Sequence, residues 1–118
     1  MIGDQGGVAG FGIGSSYVAD DVRLCRDAAN IFGQRKGTNA QTFRLYNTYT
    51  DASNYERLVL SASNTGALLG QESAGTGSYK SLTLATSGTS RVTILSSGQV
   101  GIGTTAPVEQ LTVNGTLS

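Results

Sequence analysis

The side chains best suited to bind a ligand lie around one polar turn in the middle of the chain. Aromatic and polar residues alternate there, and the candidate glycan-binding residues are Tyr46, Tyr49, Tyr55, Arg44, Asn47, Asp51 and Asn54. Sugars stack the apolar faces of their rings on aromatic side chains, while amide, carboxylate and guanidinium groups hold their hydroxyls. The pattern therefore predicts a shallow glycan site. The structural alternative is that Tyr49 packs inward with Phe43 and Leu45, and that the other two tyrosines cover the flank of a strand.

Catalytic chemistry has few candidates in this sequence. The chain contains no histidine, which excludes Ser-His-Asp and Cys-His arrangements and removes the commonest zinc ligand. A carboxylate pair of the kind used in glycoside hydrolysis remains, either Asp20 with Asp21 or Asp51 with Glu56. Neighbouring residues of a strand point to opposite faces, however. For the second pair, a turn role for the aspartate and a surface ion pair with Arg57 or Arg44 are simpler roles. We predict that the chain is not an enzyme and uses no cofactor or metal.

Residues 101–106 fit the loose dinucleotide fingerprint G-x-G-x-x-G/A. That fingerprint must open a helix whose N-terminus faces the pyrophosphate. Pro107 follows instead, and then a short strand pattern. The glycines are therefore predicted to permit a tight bend and a close approach of neighbouring chains.

The composition is neutral and poor in charge. The 118 residues include eight basic and eight acidic side chains, and charged residues make up 14% of the chain, against about 25% in ordinary globular proteins. Without a basic face, the chain is not expected to bind nucleic acid or an anionic membrane. No stretch approaches transmembrane length, so membrane insertion is not expected either. Large apolar residues are sparse, and such a chain gains from burying its strands against copies of itself.

A block of sequence occurs twice, at residues 12–24 and 101–113. Gly-Ile-Gly and two hydroxyl residues open each copy, and an acid and two alternating apolar residues follow at the same spacing. In each copy the block predicts a tight turn, a short run and a β-strand. A repeat of this kind is typical of an elongated, repetitive β-structure.

Short alternating apolar patterns fill the rest of the chain. They predict strands at 42–49, 55–63, 67–71, 79–86 and 91–95, and further strands around residues 22–24, 100–102 and 111–113. Polar turns are predicted at 51–54, 64–66, 87–89 and 97–98, and a loop at 72–78. This spacing suits a sandwich, a barrel or a β-solenoid equally well.

Residues 97–107, followed by 111–115, carry a resemblance to a known family. They read SGQVGIGTTAP and LTVNG, and they resemble the GNVGIGTTSP repeat of bacteriophage tail-fibre and tailspike shafts, often found upstream of an intramolecular chaperone domain. Residues 39–57 resemble a block found in similar fibre-like sequences. The resemblance implies a homotrimeric, elongated β-structure in which three chains share one core. It also implies a location in the virion tail fibre or otherwise outside the cell.

We therefore predict an all-β, elongated fibre segment over residues 1–118, built from short glycine-rich strands. The two repeats flank a central block at 30–100, and three chains form an intertwined β-helix or β-prism, or three small stacked β-domains. The predicted trimer core comprises Phe43, Leu45, Leu58, Leu60, Leu82, Leu84, Val92, Ile94, Ile102, Leu111 and Val113.

The predicted function is that of a structural tail-fibre component, a shaft or receptor-facing module that contributes to host adhesion. Its expected partners are copies of itself, neighbouring fibre segments and a host surface glycan. Two alternatives remain open at this point: a carbohydrate-binding adhesin module, and a subunit of a homopolymeric extracellular filament.

Overall fold

The protein is all-β, as predicted. This computed structural model describes residues 2–4, 9–16 and 19–118, with side chains from Val22 onward. The strands are β1 (Ile2–Asp4), β2 (Ala9–Ser16), β3 (Ala19–Ala28), β4 (Ile31–Gln34), β5 (Gln41–Asp51), β6 (Asn54–Ser63), β7 (Gly66–Ala74), β8 (Leu82–Thr86), β9 (Thr89–Ile94), β10 (Val100–Ile102) and β11 (Leu111–Val113). The described residues include no helix, and hence none long and apolar enough to cross a membrane.

The chain divides into two compact units. The first takes the chain up to Phe43 together with Leu60–Leu68, and the second comprises Arg44–Val59 and Leu69–Ser118. Three open sheets account for the strands, in the orders β1-β2-β3-β4, β5-β6-β7 and β11-β10-β9-β8.

The first sheet corrects one prediction. The tight turn expected at residues 12–16 is wrong, because these residues belong to strand β2. Gly12 and Ile13 pair with Arg23 and Val22 of β3 in antiparallel register, and the last pair joins Ser16 to Ala19. Glycine does not force a bend where a partner strand satisfies its backbone. The strand predicted around residues 22–24 is confirmed as part of β3.

The second sheet follows the predicted hairpins closely. Strands β5 and β6 end and begin at Asp51 and Asn54, which places the predicted polar turn between them. Strand β7 runs to Ala74, so it is longer than predicted and takes in the first part of the expected loop. The sequence pattern predicted too short a strand because residues 72–74, at the end of β7, are small or polar.

The third sheet has two chemically different faces. Its register places Leu82, Ile94, Val100 and Leu111 in one row across the four strands, and Leu84, Val92, Ile102 and Val113 in a second row. The row between them consists of Thr83, Thr93, Gly101 and Thr112. Paired residues share a face and neighbours along a strand alternate, so the two aliphatic rows lie on one face and the threonine row on the other. We call the aliphatic face, with its eight residues, the apolar face.

Little of this apolar surface is covered within one chain. Among the described residues, the buried apolar side chains are few: Cys25 and Val59, 1% and 3% exposed, and Pro107. None of the eleven predicted core residues is buried: Phe43, Leu45, Leu60, Leu84, Ile94, Ile102 and Leu111 are exposed, and Leu58, Leu82, Val92 and Val113 are half-buried. The alternating apolar residues of a single chain therefore do not form the buried core that such alternation normally builds.

Candidate functional site

The β5–β6 hairpin brings the three predicted tyrosines together. The ring centroids of Tyr46 and Tyr49 lie 5.2 Å apart, and those of Tyr46 and Tyr55 lie 6.2 Å apart, both edge to face. Strict alternation assigns Tyr46 and Tyr49 to opposite faces, and the contact between them corrects that assignment. Tyrosine side chains are long enough to reach beyond the face that their Cβ atoms occupy. Tyr49, which was expected to pack inward if the cluster were structural, is 60% exposed.

Arg57 completes the aromatic cluster. Its guanidinium carbon lies 4.0 Å from the ring centroid of Tyr55 and 5.7 Å from that of Tyr46, and its Nη1 donates to the Tyr46 hydroxyl at 3.1 Å. Its Nε and Nη2 contact Oε2 of Glu72 at 2.8 and 2.7 Å. These contacts raise the pKa of Arg57 despite the opposing effect of burial. Arg57 is thus held in place by two rings and one carboxylate.

The polar residues of the turn are occupied by the turn itself. Asp51 Oδ1 accepts from the backbone N–H of Ser53 at 2.8 Å and from Asn54 Nδ2 at 3.0 Å, and these bonds lower the pKa of Asp51. Asn54 Oδ1 accepts from the backbone N–H of Thr76 at 3.0 Å. Both side chains therefore fix the turn and its contact with the segment after β7. Arg44 is exposed and has no hydrogen bond or ion pair with any described residue.

Glu56 is the most constrained carboxylate in the described part of the chain. Its Oε1 accepts from the backbone N–H of Ser78 at 2.8 Å and from the Ser78 hydroxyl at 3.0 Å, and lies 3.6 Å from Lys80 Nζ. Its Oε2 accepts from Asn47 Nδ2 at 2.8 Å. The Ser78 N–H, the Asn47 amide and the Ser78 hydroxyl lower the pKa of Glu56 to about 2. A proton donor for glycoside hydrolysis needs a raised pKa, and both Glu56 and Asp51 have lowered ones.

A cleft of about 450 Å³ opens beside this network. Its lining residues are Leu45, Tyr46, Asn47, Glu56, Arg57, Leu58, Gln71, Lys80, Ser81 and Leu82. Only Tyr46 and Asn47 of the seven predicted ligand-binding residues line it. Sequence reasoning missed Gln71, Lys80 and Ser81, because they come from β7 and from the segment before β8, remote in sequence from the tyrosines.

The second copy of the repeat forms a short parallel connection. Strands β10 and β11 pair in parallel through residues 103–110, a link shorter than the dozen or so residues usual for such crossovers. Gly103 turns the chain with a φ of +71°, and a Cβ at Gly101 would collide with the carbonyl oxygen of Thr104. The bend predicted for these glycines is thus confirmed, whereas the close approach of Gly101 is to the backbone of its own chain and the predicted approach of neighbouring chains stays a prediction. Strand β11 follows this connection, where a dinucleotide site would require a helix.

Side chains of the same motif hold that connection closed. The Thr112 hydroxyl accepts from the backbone N–H groups of Val108 and Glu109, at 3.1 and 3.2 Å. Asn114 Nδ2 donates to the Gly103 carbonyl at 3.2 Å, and its backbone N–H donates to the Ile102 carbonyl at 2.8 Å. The residues that carry the family resemblance therefore have local structural roles.

Within the described residues, no group of three His, Cys, Asp or Glu side chains is placed to hold a metal ion. Comparison with protein-family models, with characterised proteins and with solved structures finds no match to this chain.

Proposed function

We propose that the chain is a structural segment of a bacteriophage tail fibre, a homotrimeric shaft or receptor-facing module that contributes to host adhesion. In this proposal three chains share one core as an intertwined β-helix or β-prism. The module acts in the virion or outside the cell, next to further fibre segments. Its work is mechanical: it stiffens a rod and carries or supports the adhesive surface.

The observation that carries the proposal is the apolar face of the third sheet. It presents eight aliphatic side chains without an intervening charge, and Leu84 and Leu111 are 53% and 57% exposed. Burying a half-exposed aliphatic side chain is worth about 1 kcal/mol, so the whole face offers several kcal/mol to a covering partner. Monomeric soluble proteins rarely leave such a face open.

Further copies of this chain are the partner that best fits the face. A neutral, uncharged aliphatic surface is self-complementary and needs no matching charge. The predicted core residues of β5 and β6, Phe43, Leu45 and Leu60, are 51–58% exposed and offer more apolar surface of the same kind. The parallel link between β10 and β11 supports the fibre assignment, because it allows one chain to continue in a constant direction along a rod.

Mass in solution tests the proposal. We expect light scattering to give three chains, and we expect the species to resist detergent at room temperature and to dissociate on boiling. A well-folded monomer would overturn the shared core and leave the adhesin module as the leading function. Large, polydisperse particles growing with concentration would indicate the filament subunit instead.

A further inference from the structure

We propose that the cleft beside Glu56 binds an uncharged saccharide, and that the tyrosine turn is not the binding site. The proposal rests on the adhesive part of the proposed function and requires that copies of the chain leave the cleft open. Every lining residue belongs to one compact unit of one chain. A volume of about 450 Å³ lies within the range of about 300–1,000 Å³ typical of small-molecule sites.

The charges in and beside the cleft are compensated internally. Glu56 is neutralised by Lys80 and three hydrogen-bond donors, and Arg57 by Glu72. No charge of either sign is left in excess, so the cleft offers a charged ligand no electrostatic gain over water. This balance favours a neutral ligand.

The remaining hydrogen-bonding groups suit hydroxyls. The Tyr46 hydroxyl accepts from Arg57, which leaves its hydrogen available as a donor. The Asn47 amide donates through Nδ2 to Glu56, and among the described residues its Oδ1 has no donor partner. The side chain of Lys80 is 56% exposed at the rim. Its ammonium group contacts Glu56 and the Ser78 hydroxyl, which leaves a third N–H for a ligand. A mixture of donors and acceptors is complementary to hydroxyl groups, since each hydroxyl can donate and accept.

The apolar part of the lining and its rigidity complete the match. Leu45, Leu58 and Leu82 provide aliphatic surface for the C–H faces of a sugar ring. Glu56 and Arg57 are each held by several contacts before any ligand arrives, and this lowers the entropic cost of binding. The hydrogen-bonding groups of Asp51 and Asn54 are not available to a ligand, because they already stabilise the turn.

An array of neutral and acidic glycans, probed with the labelled full chain, tests the proposal. Ser81→Trp fills the cleft from an exposed position, and Tyr46→Phe removes only the donor hydroxyl. We expect binding confined to neutral glycans, a loss of about tenfold or more with Ser81→Trp, and a smaller loss with Tyr46→Phe. Tyr49→Phe is the matched control, because it also removes one tyrosine hydroxyl, at a ring of β5 that does not line the cleft, and it keeps the ring contact with Tyr46. It should leave binding unchanged.

Three results would overturn the proposal: no neutral glycan bound, acidic glycans bound preferentially, or binding lost with Tyr49→Phe but kept with Ser81→Trp. Light scattering of the same sample separates this outcome from a failure of the proposed function. A trimer that binds no neutral glycan disproves the site alone, whereas a monomer that binds through the cleft disproves only the shared core. Leu45, Leu58 and Leu82 also belong to the predicted trimer core. If copies of the chain cover these leucines and close the cleft, no neutral glycan will bind, and the proposal is wrong.

Discussion

The repeated block adopts two opposite arrangements in one chain. In the first copy Gly12 pairs with Arg23 inside an antiparallel hairpin. In the second copy the equivalent residues, Gly101 and Thr112, pair again, but their strands run parallel. The two copies thus share one pair of partner residues across neighbouring strands. The two strands run antiparallel in the first copy and parallel in the second.

The positions that differ between the copies account for the reversal. Pro107, Thr112 and Asn114 occupy the places of Val18, Arg23 and Cys25 in the first copy. The Thr112 hydroxyl and the Asn114 amide close the parallel connection, whereas arginine and cysteine offer no equivalent acceptor or amide. The comparison teaches that the glycines set where two strands approach, and that the residues after them set the direction.

The largest effect is expected in the sheet that contains the second copy, at β8. Leu84→Asp places a charge in the apolar face of its sheet and should abolish the trimer, as measured by light scattering. Thr83→Asp, one residue away in the threonine row, is the control and should leave the trimer intact. Either of two results would contradict a shared core: a Leu84→Asp variant that is still a trimer, or a Leu84→Asp variant that is a well-folded monomer.

Gly101→Val should destabilise the parallel connection strongly. Its side chain collides with the Thr104 carbonyl, which is backbone and cannot simply rotate away. We expect a loss of about 3 kcal/mol in the free energy of unfolding, measured by chemical denaturation. Ile102→Val, at the next and 42% exposed residue, should cost less than about 1 kcal/mol. Equal losses for the two variants would argue against the close approach.

Thr112→Val removes the acceptor shared by two backbone N–H groups and should cost about 1–2 kcal/mol. Thr112→Ser keeps the hydroxyl and is expected to keep most of the stability. Thermal unfolding of the two variants measures the difference. A valine variant as stable as the serine variant would contradict the role of the hydroxyl.

Pro107→Val gives the second copy the residue of the first and should have the smallest effect on stability, about 1 kcal/mol, chiefly through the freer unfolded chain. We expect the parallel pairing to persist, because Thr112 and Asn114 remain. Nuclear Overhauser contacts between Gly101 and Thr112 measure strand direction. An antiparallel pattern in this variant would make Pro107 alone the determinant of direction.

The β5–β7 sheet lies between the two copies in the sequence. Its stability is expected to depend on pH through Glu56, which provides a comparison with the two copies. The folded-state pKa of Glu56 is lowered from 4.5 to about 2, so its stabilising contribution is complete above about pH 4.5 and is lost as the pH falls towards 2. Glu56→Gln should lower the stability at neutral pH and flatten its decline over that window, as followed by denaturation at several pH values. An unchanged pH profile would contradict the Ser78 and Asn47 contacts.

Local pattern predicted the strands well, because alternation and turn residues are local properties. The hairpin turn at Asp51 and the strands containing Leu58, Leu84 and Val92 all appear as expected. The same reasoning predicted a tight turn at the start of both copies and was wrong on that point for the first, whose strand around residues 22–24 is nevertheless present. Strand direction depends on hydrogen bonds from residues far along the motif, such as Asn114 to Gly103, which periodicity does not register.

The candidate site was only partly predictable for a similar reason. The tyrosines are close in sequence and were found together, and Arg57 entered the sequence reasoning only as an ion-pair partner. The cleft depends on Lys80 and Gln71, which reach Glu56 and each other through contacts between separate segments. The trimer stays a prediction, because its evidence lies in surface that one chain leaves uncovered.

The two aliphatic rows of the third sheet also limit how accurately a partner can be aligned on them. Leu, Ile, Val and Leu follow one another in one row, and Leu, Val, Ile and Val in the other. A partner displaced by one strand, about 4.8 Å, meets almost the same chemistry, so the rows provide adhesion with little discrimination between positions. In the proposed trimer, the axial stagger between subunits is therefore expected to depend on features of irregular shape outside these rows, such as the 103–110 connection.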